Sequence, residues 1–143
     1  MIVDLVQVKE GKEECVNPRK LHHYLKRYHN DMYTSMQEVF TLIGLNTVNK
    51  VVNSWIVGLG GVNSCIVDPK VVFHHLLKEP GVVGFAVAHN HPSGNLAASS
   101  EDIALTTRLN ECGQLLNYTM LDHLIVTPTY DFFSFKEADL IGA

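Results

Sequence analysis

The chain has 143 residues, 46% of them hydrophobic and 18% charged, with a formal net charge of −4. That balance excludes a disordered or low-complexity chain, and the length suffices for one compact domain that buries a core without disulfide staples. A pI near 6.0 and a mean hydropathy of +0.07 give no overall basic footprint for nucleic acid.

Taken from the start, residues 1–8 alternate well enough to read as a strand, and 10–14, with Gly11, read as a polar turn. Residues 1–9 carry Asp4 early and lack the basic segment and long apolar stretch of a secretory leader, so a cytoplasmic protein is expected. Asn17-Pro18 is a cap followed by a first-turn proline. It opens a helix with Leu21, Leu25 and Tyr28 on one face, which runs to about His29 and stops at Asn30 and Asp31. His22, His23 and His29, with Lys20, Lys26 and Arg27, make this helix locally basic, and a solvated face is the expected reading.

Residues 38–45 and 51–57 are rich in β-branched and apolar side chains around the polar turn 46–50, the pattern of a hairpin. A glycine-rich loop, 58–61, is expected to follow as a mobile flank. Asp68-Pro69 caps a second helix whose apolar face is Val71, Val72, Leu76 and Leu77, ended by Pro80-Gly81.

Residues 82–89 form a nearly continuous apolar run, as a strand covered on both faces requires. The run 82–88 is the longest apolar stretch and falls far short of the about 20 residues a membrane helix needs, so no membrane association is expected. A small-residue loop, 92–99, a helix from Ser100 to about Leu116, and strands near 119–126 and 131–135 complete a mixed α/β pattern. Cys15, Cys65 and Cys112 lack the paired spacing of a zinc knuckle or redox motif and read as reduced thiols.

The chemistry gathers at the end of the 82–89 strand. His89 and His91 are two apart, so in extended chain both imidazoles project from one side and Asn90 from the other. Pro92 and Ser93-Gly94-Asn95 turn the chain out of the sheet immediately afterwards. Ser99 is a helix N-cap, and Asp102 falls three residues on, in the first turn, where a carboxylate suits the positive helix end. If that helix mouth faces the strand end, two imidazoles and a carboxylate converge as a three-ligand zinc set with an open fourth position. Separately, the histidines could be hydrogen-bonded surface groups, and Ser99 with Asp102 a plain cap; the combination carries the specificity.

The pattern His89-x-His91, seven residues, Ser99, two residues, Asp102 resembles the signature of the JAMM (MPN+) metalloproteases. The wording around it, residues 88–94 with the 102–116 helix and 121–126, resembles more narrowly the bacterial RadC family, once labelled DNA repair proteins. The similarity covers about residues 36–135 and implies a cytidine-deaminase-like fold, a single mixed sheet flanked by helices. It also implies His89, His91 and Asp102 as zinc ligands and Ser99 as an oxyanion or water-positioning group. The family's upstream glutamate, before a strand of the form Glu-x-Phe-x-x-x-x-Leu-Asn, corresponds to Glu38 and implies it as the general base for a metal-activated water.

The expected function is therefore zinc-dependent hydrolysis of a peptide or isopeptide bond in a peptide or protein substrate. The alternative is a DNA-repair-associated or protein-interaction accessory domain with a structural or vestigial zinc. The intact Glu38 and Ser99 favour the enzyme, and the first 35 residues show no counterpart of the helix-hairpin-helix region of longer relatives. An HNH nuclease is rejected because its residues lie apart across a strand-strand-helix module. A nucleobase deaminase is rejected because H-x-E and P-C-x-x-C are absent. His123, beside Asp122 in the 121–126 strand, could orient a ligand, with a core or edge histidine the favoured reading.

Overall fold

The computed structural model describes residues 7–9, 13–60 and 67–142, the first of these as backbone only. In chain order the elements are β1 (Gln7–Lys9), α1 (Pro18–Tyr28), α2 (Asp31–Thr34), β2 (Val39–Leu45), β3 (Val51–Leu59), α3 (Pro69–Lys78), β4 (Gly84–Asn90), α4 (Ser100–Leu115), β5 (Thr119–Val126) and β6 (Phe132–Ser134). The strands form one six-stranded sheet in the order β1-β3-β2-β4-β5-β6. It is mixed: β4 and β5 run parallel, the other neighbours antiparallel. A parallel pair cannot be joined by a tight turn, and α4 supplies the crossover.

The expected hairpin is β2–β3. Asn46 shapes its turn, its side-chain oxygen accepting from the Val48 and Lys50 amides, and Asn49 takes the left-handed conformation at φ 60°. Period-2 alternation then sorts β2 and β4 between two cores. On one face Ile43, Leu45, Ala86 and Ala88 pack with Leu21, Tyr24 and Leu25 of α1 and Met32 and Tyr33 of α2. On the other Phe40, Leu42, Phe85 and Val87 pack with Val72, Phe73 and Leu76 of α3 and Leu109 of α4. The α/β class with a single mixed sheet flanked by helices is thus the observed architecture.

Four sequence expectations are corrected. The glycine-rich 58–61 segment is not wholly a loop: Gly58 pairs with Phe40 inside β3, and the Gly60 amide donates to the Glu38 carbonyl. Here strand pairing to β2 outweighs glycine's weak strand propensity. Asp31 does not merely stop α1 but opens the short helix α2. The solvated-face reading of α1 fails for His22 and His29, which are buried; His22 packs on Tyr33 and Phe132, and His29 bonds Ser54. The strand expected over 131–135 is narrower, β6 spanning Phe132–Ser134.

Residues 1–6 of the expected first strand, most of the polar turn 10–14, Gly61 and Cys65 lie outside the described residues. Cys15 and Cys112 are free thiols, as expected. Among the described residues no helix is long and apolar enough to cross a membrane.

Candidate metal centre

His89 is the penultimate residue of β4, and its alternation partners Phe85 and Val87 face α3 and α4. The residue is 1% exposed, with the Phe40 ring stacked over its own at 5.8 Å and 10°. His91 lies just beyond the strand, but its amide still donates to the Val126 carbonyl of β5, so the chain keeps its strand path for one more residue. It then turns: the Gly94 amide donates to the His91 carbonyl, and Gly94 sits at φ +85°, where a side chain would be strained.

That turn also sets the chemistry of His91. Its Nδ1 lies 2.6 Å from the Asn95 carbonyl oxygen, which can only accept, so Nδ1 carries the ring proton and Nε2 keeps a lone pair. Nε2 of His91 is 2.9 Å from Nε2 of His89. Asp102 completes the group, with Oδ1 at 3.3 Å from His89 Nε2 and Oδ2 at 3.6 Å from His91 Nε2. Its position follows from the capping box expected from sequence. The Asp102 amide donates to the Ser99 hydroxyl at 3.0 Å, and the Ser99 amide donates to Asp102 Oδ2 at 2.9 Å. The Ser99 hydroxyl is an acceptor in that bond, which leaves its own proton to donate.

Glu38 stands immediately before β2, two residues from Phe40 and so on the same face as His89. A carboxylate oxygen of Glu38 and nitrogens of His89 and His91 all lie within 4.8 Å of one another, a group able to hold a cation. Glu38 is therefore close enough to be either a base beside a metal or a ligand to it. Asn90, whose role spacing alone did not reveal, explains this placement. It points to the opposite face, where its side-chain oxygen accepts from the Val39 amide at 2.6 Å and its nitrogen donates to the Gln37 carbonyl at 3.0 Å. The two backbone groups flanking Glu38 are thereby clamped by the residue between the two histidines.

The electrostatics agree with a cation-binding group. A hydrogen bond to Asp102 raises the His91 imidazole above its usual pKa despite its partial burial. Burial works to raise the Asp102 carboxyl, but the His89 and His91 imidazoles beside it and the Ser99 amide outweigh it and hold the carboxyl well below the usual range. Two lone pairs and a carboxylate aimed at one point draw a proton, and the same arrangement suits a metal ion. Two nitrogens each 2.0–2.1 Å from a tetrahedral zinc stand about 3.3 Å apart, close to the spacing found. The donor set thus fits zinc.

The favoured core reading of His123 was incomplete. The residue is fully buried, but its Nε2 lies 2.8 Å from His89 Nδ1 and its Nδ1 2.6 Å from the Thr106 hydroxyl. Its neighbour Asp122 pins the following turn, accepting from the His123 and Lys136 amides and the Ser134 hydroxyl. Burial raises the Asp122 carboxyl despite these bonds. Sequence could not separate the two readings because His123 reaches His89 only through the parallel β4–β5 pairing.

A mixed sheet covered by helices on both faces, with paired histidines at a central strand's end and carboxylates from two other elements beside them, defines a JAB/MPN-type domain. The family described as RadC-like JAB domain matches residues 15–140, and the chain belongs to this RadC family. A UPF0758 protein of Clostridium perfringens is 36% identical over 140 residues, covering 98% of this chain and 57% of that relative. A UPF0758 protein of Bacillus licheniformis is 46% identical over 107 residues, 75% of this chain and 47% of its own length. The UPF0758 protein YsxA of Bacillus subtilis is 43% identical over 107 residues, 75% of this chain and 46% of its own length. The chain spans about half the length of the curated relatives it matches.

Proposed function

We propose that this chain is a single-domain zinc-dependent hydrolase that cleaves an amide bond, peptide or isopeptide, in a peptide or protein substrate. The observation that carries the reading is the convergence of His89 Nε2, His91 Nε2 and the Asp102 carboxylate, with the Glu38 carboxylate within reach of the same nitrogens. His89, His91 and Asp102 hold the metal, and Glu38 is the base. Bound there, zinc supplies a Lewis acid and lowers the pKa of a coordinated water to near neutrality.

The remaining steps belong to side chains of the chain itself. Glu38 accepts a proton from the attacking water and returns it to the departing amine. Ser99, its hydroxyl proton uncommitted by the cap, donates toward the oxygen that gains charge as the carbonyl becomes tetrahedral. Asn90 keeps Glu38 at the distance these transfers need. The free thiols Cys15 and Cys112 fit a reducing, cytoplasmic setting, and a net charge of −4 favours no nucleic-acid partner.

The test is a panel of peptide and isopeptide substrates offered to the zinc-loaded wild type and to Glu38→Gln. Glu38→Gln is expected to keep its zinc and lose about a hundred- to ten-thousand-fold in rate, the usual worth of a positioned base. Hydrolysis that survives Glu38→Gln unchanged would remove Glu38 from that role. A zinc-bound wild type that cleaves nothing in the panel would favour the accessory-domain reading.

A further inference from the structure

We infer that Thr106 and His123 form a relay that fixes which nitrogen of His89 carries its proton, leaving Nε2 bare on the side facing Asp102 and His91. The inference rests on the metal-site reading above and deepens it by assigning two positioning residues outside the ligand set.

The relay can be followed proton by proton. The Thr106 hydroxyl oxygen lies 2.7 Å from the Asp102 carbonyl oxygen, one helical turn back in α4. Two oxygens that close need a proton between them, and the carbonyl has none, so the single hydroxyl proton of Thr106 is committed there. The same hydroxyl oxygen is 2.6 Å from Nδ1 of His123. Having spent its proton it can only accept, so Nδ1 of His123 carries a hydrogen.

The His123 ring is fully buried, stacked on Phe135 at 4.2 Å and 6° and met edge-on by Phe40. An imidazole enclosed in that way is neutral, and with its hydrogen on Nδ1 its Nε2 is bare. That nitrogen lies 2.8 Å from Nδ1 of His89, which must therefore be the donor. His89 is left with an unprotonated Nε2, 2.9 Å from His91 Nε2 and 3.3 Å from Asp102 Oδ1.

The consequence is a division of labour. His91 has its ring proton fixed locally by the Asn95 carbonyl of its own turn. His89, deep in the sheet, has no such loop, and its tautomer is set from α4 through β5. The helix that brings Asp102 to the site also orients the imidazole opposite, because Thr106 bonds the backbone of Asp102 itself. The hydrogen bond behind a ligand histidine fixes both its tautomer and its ring orientation, and losing such a partner commonly costs about 10- to 100-fold in metal affinity.

The experiment is a competitive zinc titration of the full chain against a chromophoric chelator, with thermal melts of each zinc-free variant alongside. Thr106→Val, nearly the same shape without the hydroxyl, is expected to bind zinc about 10- to 100-fold more weakly, and Thr106→Ser to restore wild-type affinity. His123→Gln, whose side-chain oxygen can accept from His89 Nδ1, should bind more tightly than His123→Phe. Equal affinity across wild type, Thr106→Val and His123→Phe would overturn the relay while leaving the metal site standing. A wild type that binds no zinc would sink the metal-site reading itself. Independently of metal, ring-nitrogen NMR of the zinc-free chain should find the His123 proton on Nδ1. A proton on Nε2 would overturn the relay even where Thr106→Val fails to fold.

Discussion

Asn90 shows how one side chain can couple the two strands that carry the candidate site. Its amide bridges β4 to the backbone on either side of Glu38, while the Gly60 amide at the end of the neighbouring strand β3 holds the Glu38 carbonyl. Asn90→Ala would leave the Val39 amide buried without its partner, a loss of about 1–3 kcal/mol. Urea denaturation should show that destabilisation, and the zinc-loaded variant should hydrolyse more slowly with its metal content intact. Unchanged stability would mean the clamp is replaced by water. The ligand-type residues were legible at this scale because H-x-H and S-x-x-D are local patterns. The partners of Asn90 and His123 were not, since each lies on a strand whose neighbours only the tertiary fold decides.

Among the elements, α4 most directly decides whether the site forms, because it delivers Asp102 and Thr106 together. Its seat on the sheet depends on Gly113, where an added Cβ would lie 2.9 Å from the Tyr118 carbonyl oxygen and 3.0 Å from the Phe85 ring. Helix propensity alone would make Gly113→Ala stabilising by about 1 kcal/mol. The contact predicts the opposite: a lower melting temperature and weaker zinc binding as the helix is pushed off β4. A stabilised Gly113→Ala would show that the helix can shift without harm to the packing.

Most elements announced themselves through caps and periodicity, as Asn17-Pro18, Asp68-Pro69 and Ser99 do. The end of β3 did not, because Gly58 is held in the strand by its pairing with Phe40 and not by its own propensity. For α1 a signal was present and outweighed. His22, Leu25 and His29 are spaced three and four apart on one helical face, but the nearby Lys26 and Arg27 drew the reading toward solvent.

Over the whole molecule, those two buried histidines contribute to the response to acid, as does the fully buried His123. Burial, aided by Lys26 and opposed by Asp131, lowers His22 to about 4; burial also lowers His29 to about 4, against the charge of Asp31. Their ordinary value is 6.5, so between pH 6.5 and 4 the unfolded chain binds protons the folded chain refuses. Stability is therefore complete above that window and falls on acidification, by about 1.4 kcal/mol per pH unit for each proton. Denaturation of the zinc-free chain at several pH values should show the slope. His22→Phe should flatten it and stabilise the acid state, because the variant also removes a buried Nε2 that has no hydrogen-bond partner among the described residues. An unchanged slope in His22→Phe would place the acid sensitivity elsewhere.

The central claim, that the converging histidines and carboxylates hold a metal, is tested most directly by elemental analysis of the purified chain. The wild type, prepared without chelator and offered zinc, should carry about one zinc ion per chain, and His89→Ala close to none. A folded wild type that stays free of zinc under those conditions would contradict the account, and this family member would then have to act through its surface alone.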